Sequence, residues 1–148
     1  MIKFILAVLL ASSAFVSTVN ADFKEIGNFG TPANNPGAEE TSAEIIAATS
    51  DGMKLVYSDS PANALGMIDI TDPSNPKPLG SMSLGGEPTS VAIKNGKAYV
   101  GINTSPDYVK PSGHLLVIDL ASEKEVAKVE LGGQPDSVAV SPDGTFVA

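Results

Sequence analysis

Carboxylates are the side chains best supplied to do chemistry here: 17 Asp and Glu stand against nine Lys, one His and no Arg or Cys. Oxygen ligands of this kind suit Ca²⁺, which takes about six to eight of them from residues converging on one loop. The tightest group, Glu39, Glu40 and Glu44, supplies the candidate metal ligands. Asp69 and Asp72 flank a turn, and Asp51 and Asp143 each precede a glycine. An aspartate in an Asp-Gly turn is explained by backbone geometry, because its short side chain bonds the main chain two residues on. The Asp-x-Asp-x-Asp-Gly loop of calcium hands is missing. His114 is the only histidine, so a His-rich zinc site cannot be built from this chain. At the start of an apolar run it reads as a structural hydrogen-bonding residue. No catalytic residue is identifiable and no cofactor motif is evident, which leaves calcium as the one cofactor these residues suggest.

The elements that must position these groups repeat. Leu84-Gly-Gly-Glu-Pro-Thr-Ser-Val-Ala-Ile93 returns as Leu131-Gly-Gly-Gln-Pro-Asp-Ser-Val-Ala-Val140, seven of ten residues identical at an offset of 47. A period near 45 residues made of strand-like runs is the mark of four-stranded propeller blades, each of which must stack on a neighbour to bury its faces. The first unit offers strands at Ala43–Thr49, Lys54–Ser58, Leu65–Ile70 and Pro78–Leu84; the second offers Thr89–Lys94, Lys97–Asn103, His114–Leu120 and Glu125–Leu131. Asp51-Gly52, Asn95-Gly96 and Asp143-Gly144 fall in phase between strands, where a tight type I′ turn needs positive φ at both central residues. The doublets Gly85-Gly86 and Gly132-Gly133 lack the following Gly-Lys-Ser/Thr of a phosphate loop, and they mark the junction between blades.

The fold expected is therefore all-β: two complete four-stranded blades (43–86 and 87–133) and the start of a third (134–148), a ring left incomplete. At ~47 residues per blade, a closed ring of about four to eight blades needs roughly 200 to 380 residues. The chain accordingly reads as a fragment, its partners being the remaining blades of the same parent chain or, failing that, copies of itself. Residues 22–42 form a strand or loop lead-in, with Phe23–Phe29 as one strand and Thr31–Gly37 as loop.

Residues 1–21 carry Lys3, an apolar run from Phe4 to Leu10 and a Val19-Asn20-Ala21 cleavage pattern, which together read as a secretory signal peptide. The product is expected to be exported, periplasmic or extracellular, with no membrane anchor after signal removal. Losing Lys3 leaves eight Lys against 17 acids. That balance argues against nucleic acid as a partner, since phosphate binding needs a basic surface.

The run Pro135-Asp-Ser-Val-Ala-Val-Ser-Pro-Asp-Gly144 resembles YVTN-type bacterial propeller repeats, and Gly66-Met-Ile-Asp-Ile-Thr-Asp-Pro-Ser-Asn-Pro76 resembles the related LVIVD repeats. With Thr41–Ala48, Leu55–Pro61 and Pro111–Leu115, the chain resembles the N-terminal part of exported proteins of the esterase-like activity of phytase group, also called alkaline phosphatase-like. This resemblance implies an exported phosphoesterase of which these residues are a non-catalytic portion, and it carries no catalytic residue onto them. The chain's own residues agree, since without arginine the usual bidentate phosphate clamp is missing. The competing reading is a YVTN-type binding module for an extracytoplasmic protein or glycan. The segments Asp59–Ala64 and Thr104–Gly113 differ in length between the units, which is where functional elaboration would sit.

Overall fold

The computed structural model describes residues 23–148, so the leader expected at 1–21 lies outside the described residues. Eight strands follow one another: β1 (Ala43–Ala48), β2 (Lys54–Asp59), β3 (Ala64–Asp69), β4 (Lys77–Ser83), β5 (Glu87–Lys94), β6 (Lys97–Asn103), β7 (Gly113–Asp119) and β8 (Lys124–Leu131). They make two antiparallel four-stranded sheets ordered β1-β2-β3-β4 and β5-β6-β7-β8. The all-β, blade-by-blade expectation therefore holds.

Each sheet is half a core. Val56, Leu65 and Met67 of the first sheet pack with Val91, Val100, Ile102, Leu116 and Ile118 of the second, and β5 lies against β1, β2 and β3. Stacking places the apolar residues of one sheet over the next, which supplies the burial a single four-stranded sheet cannot achieve alone. The irregularities repeat along with the strands. Leu79 is the extra residue where β3 pairs β4, and Val126 is its counterpart between β7 and β8. Such matched bulges twist each blade in the same place. Residues beyond Gly133 continue the stack: Thr89 Oγ1 donates to the Pro135 carbonyl at 2.9 Å, the Val138 N–H donates to Ser90 Oγ at 3.0 Å, and Val140 bridges Val147 antiparallel.

Two expectations need correcting. Asn95-Gly96 is the two-residue turn anticipated, with φ of 49° and 71° and Lys94 paired to Lys97. The Asp-Gly loops are longer, and only their glycines have positive φ, 70° at Gly52 and 74° at Gly144. The cause is the aspartate itself: Asp51 Oδ1 accepts the Met53 N–H at 3.0 Å and the Thr49 hydroxyl at 2.6 Å, a local contact that holds the loop open by two residues. The stretch Phe23–Phe29 forms no strand. It runs past the β3–β4 turn, where an added Cβ on Gly27 would lie 2.2 Å from the Pro73 carbonyl oxygen. Pro73 and Pro76 have no N–H to offer a ladder there.

The lead-in is nevertheless fastened to the first sheet by one side chain. Asn34, 5% exposed, donates from Nδ2 to the Tyr57 hydroxyl at 3.0 Å and the Met67 carbonyl at 2.8 Å, and its Oδ1 accepts the Gly80 N–H at 2.9 Å. Tyr57 is fully buried and its ring lies over Gly66, its cross-strand partner, where a Cβ would come within 2.1 Å of the ring. Burial pushes the Tyr57 phenol above its ordinary range, opposed in part by the bond from Asn34.

Candidate functional site

The registers divide the double blade into two ends. Ala43, Asp59, Ala64 and Ser83 share one end of the first sheet, and Glu87, Asn103, Gly113 and Leu131 share the same end of the second. The β2–β3 and β6–β7 loops and the blade junctions lie here. The opposite, hairpin end carries the β1–β2, β3–β4, β5–β6 and β7–β8 connections.

At the hairpin end the aspartates hold turns. Asp69 Oδ1 accepts the Thr71 hydroxyl at 2.6 Å and its N–H at 2.8 Å; Asp119 Oδ1 accepts the same pair of groups from Ser122, at 2.8 and 2.9 Å. Asp143 takes the Ser141 hydroxyl at 2.6 Å together with the hydroxyl and N–H of Thr145. Hydrogen bonds to the charged form hold all of these carboxyls below the usual range, Asp143 at about 2, with the Ser141 hydroxyl the largest cause. In each of them Oδ1 is committed to the chain.

The loop end is different. Asp59, 1% exposed, accepts the Ser42 N–H at 2.9 Å and the Ala62 N–H at 3.4 Å, both on Oδ1. Its Oδ2 is the buried side-chain oxygen that finds no partner among the described residues. Beside it opens a hollow of about 870 Å³ lined by Asn35, Glu39, Glu40, Pro61 and Ala62. Of the three candidate ligands, the structure brings Glu39 and Glu40 together at this hollow and sets Glu44 on β1, where it accepts the Ser60 hydroxyl at 2.8 Å. The Ser60 hydroxyl is also 2.8 Å from the Pro88 carbonyl of the next sheet. Among the described residues no three His, Asp or Glu side chains gather closely enough to hold a metal ion.

In the second sheet, Asn103 stands where Asp59 stands in the first, and its amide donates to Glu87 at 2.9 Å while its oxygen accepts the Ser105 N–H. The loop that follows is tied to itself. Thr104 donates its N–H to the Ser112 carbonyl, Ser105 Oγ accepts the Ser112 N–H at 2.9 Å, and Asp107 Oδ1 accepts the N–H groups of Val109 and Lys110, each at 2.9 Å. Tyr108 is wholly exposed at its tip, and Val109 is 86% exposed. His114 is buried on β7; burial lowers its pKa first and Lys128 lowers it further, while Glu130 and Glu125 oppose. It makes no approach to the hollow's lining. Asp59 and Tyr108 escape the sequence reading, the first because Ser58-Asp59-Ser60-Pro61 looks only like a strand end. The unequal lengths of the two loops were the usable signal for the second.

Stacked antiparallel four-stranded sheets, repeated along the chain, define a propeller-type blade module. The sequence narrows this class: a model of the choice-of-anchor I domain matches residues 44–148, and the chain belongs to that family. Membership puts it among surface or exported proteins. Among the described residues no helix is long and apolar enough to cross a membrane. Solved structures share the fold. Hydrazine synthase of Kuenenia stuttgartiensis is 22% identical with a TM-score of 0.60, over 71% of this chain and 28% of that one. A functionally unknown protein from Desulfotomaculum acetoxidans is 17% identical with a TM-score of 0.54, over 72% and 31%. A luciferin-regenerating enzyme is 19% identical with a TM-score of 0.51, over 70% and 40%. The chain thus spans well under half the length of these structures. No curated protein matches it.

Proposed function

We propose that this chain supplies blades to an exported or surface-bound propeller that recognises a partner through its loop end. The β6–β7 loop carries the reading: at nine residues against four in the β2–β3 loop it is the largest departure from the repeat, and it holds Tyr108 and Val109 out in solvent. The remaining blades of a longer chain would cover the outer faces of the stack. The reading is tested by expressing the full chain from its own leader in a bacterial host and treating intact cells with protease. Cleavage in the Thr104–Ser112 loop on intact cells or in the medium supports it; a protected product confined to the cytoplasm refutes it.

The resemblance to phytase-like proteins supplies the second reading, a phosphoesterase. It requires a cation or arginine clamp for the phosphoryl oxygens, and with no arginine and one buried histidine in this chain those groups would come from further sequence. Purified chain is expected to release no p-nitrophenol from p-nitrophenyl phosphate above a buffer blank, and metal-dependent turnover would overturn that expectation.

A further inference from the structure

We propose that the β6–β7 loop and the junction leading to the third blade together bind a neutral glycan, with Tyr108 as the platform on which a sugar ring stacks. The proposal rests on the binding reading above and names its ligand class.

Two departures from the repeat meet at this place. One is the long loop between Asn103 and Gly113. The other is Gln134, a neutral amide in Leu131-Gly-Gly-Gln-Pro135 where Leu84-Gly-Gly-Glu-Pro88 supplies the acid Glu87. Both border one shallow hollow of about 260 Å³, lined by Asn103, Ser105, Pro106, Asp107, Tyr108 and Gln134. Residues shared between repeats account for the blades, and those that differ are free to serve a ligand.

Each half of the hollow is held in place by its own contacts. In the loop, the Thr104 N–H donates to the Ser112 carbonyl at 3.1 Å, and Ser105 Oγ accepts the Ser112 N–H at 2.9 Å. Asp107 Oδ1 closes the turn on the N–H groups of Val109 and Lys110. In the junction, Gly113 lets the chain pass close to the foot of the loop, because an added Cβ there would collide with Pro135 Cδ. Thr89 Oγ1 fastens the Pro135 carbonyl at 2.9 Å. Gln134 is thus carried to the loop by its neighbour, and little ordering is left to lose on binding.

The side chains around the hollow suit a sugar. The Tyr108 ring is wholly exposed, and the negative face of an aromatic ring attracts the weakly positive C–H groups on the face of a pyranose. Gln134 offers both donors and an acceptor, while Asp107, with both backbone bonds on Oδ1, keeps Oδ2 for an incoming hydroxyl. Sugar hydroxyls donate and accept, so they match both groups. Asn103 is already engaged, its amide with Glu87 and its oxygen with the Ser105 N–H, and it stiffens the wall. The lining holds one carboxylate and no cation, with Lys110 outside it, which selects against uronic acids and phosphorylated chains. Pro106 is the one apolar neighbour that Tyr108 has in the lining. A protein hot spot needs a desolvated pocket closed by surrounding contacts, which this open, polar hollow does not supply.

The test is affinity electrophoresis of the purified full chain in native gels cast with hydroxyethyl cellulose, glycol chitin, galactomannan or dextran, and with polygalacturonate as the anionic control. At least one neutral polymer is expected to retard the chain, and polygalacturonate is not. Tyr108→Ala is expected to raise the dissociation constant about ten-fold, equivalent to about 1.4 kcal/mol. Tyr108→Phe, which keeps the ring, should change it by less than about two-fold, and Gln134→Ala should raise it about five-fold. Because Tyr108 is wholly exposed, Tyr108→Ala should leave the thermal midpoint within about 2 °C of the parent. Retardation by none of the neutral polymers, equal retardation by polygalacturonate, or retardation undiminished in Tyr108→Ala would overturn the proposal. Each of these outcomes leaves the loop's exposure to protease on intact cells, and hence the broader reading, standing.

Discussion

Asn34→Ala is the most informative single change in this chain. It removes one small side chain from the lead-in, yet withdraws partners from the Tyr57 hydroxyl, the Met67 carbonyl and the Gly80 N–H. At about 1 kcal/mol for each hydrogen bond, the expected loss is about 3 kcal/mol, and more where a stranded group cannot reach water. Tyr57→Phe deletes only the first of the three bonds and should cost about 1 kcal/mol. The double variant should then lose about 3 kcal/mol rather than 4, a coupling of about 1 kcal/mol between residues 23 positions apart. Urea unfolding followed by tyrosine fluorescence and circular dichroism reads this directly. With a slope of about 2 kcal/mol/M, Asn34→Ala should lower the midpoint by about 1.5 M. A shift under about 0.25 M, or strict additivity in the double variant, would refute the claim that the lead-in is fastened through Asn34.

Gly66→Ala drives a methyl group into the Tyr57 ring, at 2.1 Å from its nearest carbon, and should destabilise by about 3 kcal/mol in the same urea assay, with Tyr57→Leu expected to relieve part of the loss. His114 should titrate below 6.5 by NMR; because its folded pKa is depressed, its stabilising contribution is complete above pH 6.5 and fades as pH falls through the folded value, so a midpoint above 6.5 would contradict its burial. Asp143 should titrate at about 2; the stability it lends is present above its ordinary value of 3.8 and is lost as pH falls from there toward 2, and Asp143→Asn should remove that acid dependence. Calcium or EDTA should move the thermal midpoint by less than about 1 °C, whereas a ligand-induced rise that saturates with calcium would mean that a cation site exists after all.

What the sequence discloses here is periodic, and what it hides is single. The blades, their hairpins and the Gly85-Gly86 junction repeat, so each copy corroborates the other, and the observed strands begin and end within two residues of those expected. Asp69 and Asp119 are legible as turn residues for the same reason. Asn34 occurs once, inside Thr31-Pro-Ala-Asn-Asn-Pro-Gly37, whose composition says only loop. Its partners lie up to 46 residues away, beyond any local pattern. Glu39, Glu40 and Glu44 look adjacent in sequence, but Glu44 has entered a strand and turned to Ser60, so nearness along the chain did not become convergence in space. Asp59 is hidden by its own neighbours, because a strand-ending aspartate is ordinarily solvated, and only the packed loop reveals that this one is not.

The outermost strand, β8, is exposed along its whole length, and its Lys124, Glu125, Lys128 and Glu130 interrupt Val126 and Val129, with Lys128 and Glu130 3.0 Å apart. On the corresponding edge of the first sheet, Pro78 removes a donor from β4. Free strand edges invite other chains to zip on, and charges and proline are what discourage them. Crowded side by side at high local concentration, many copies can therefore slide past one another at their rims without fusing into ribbons.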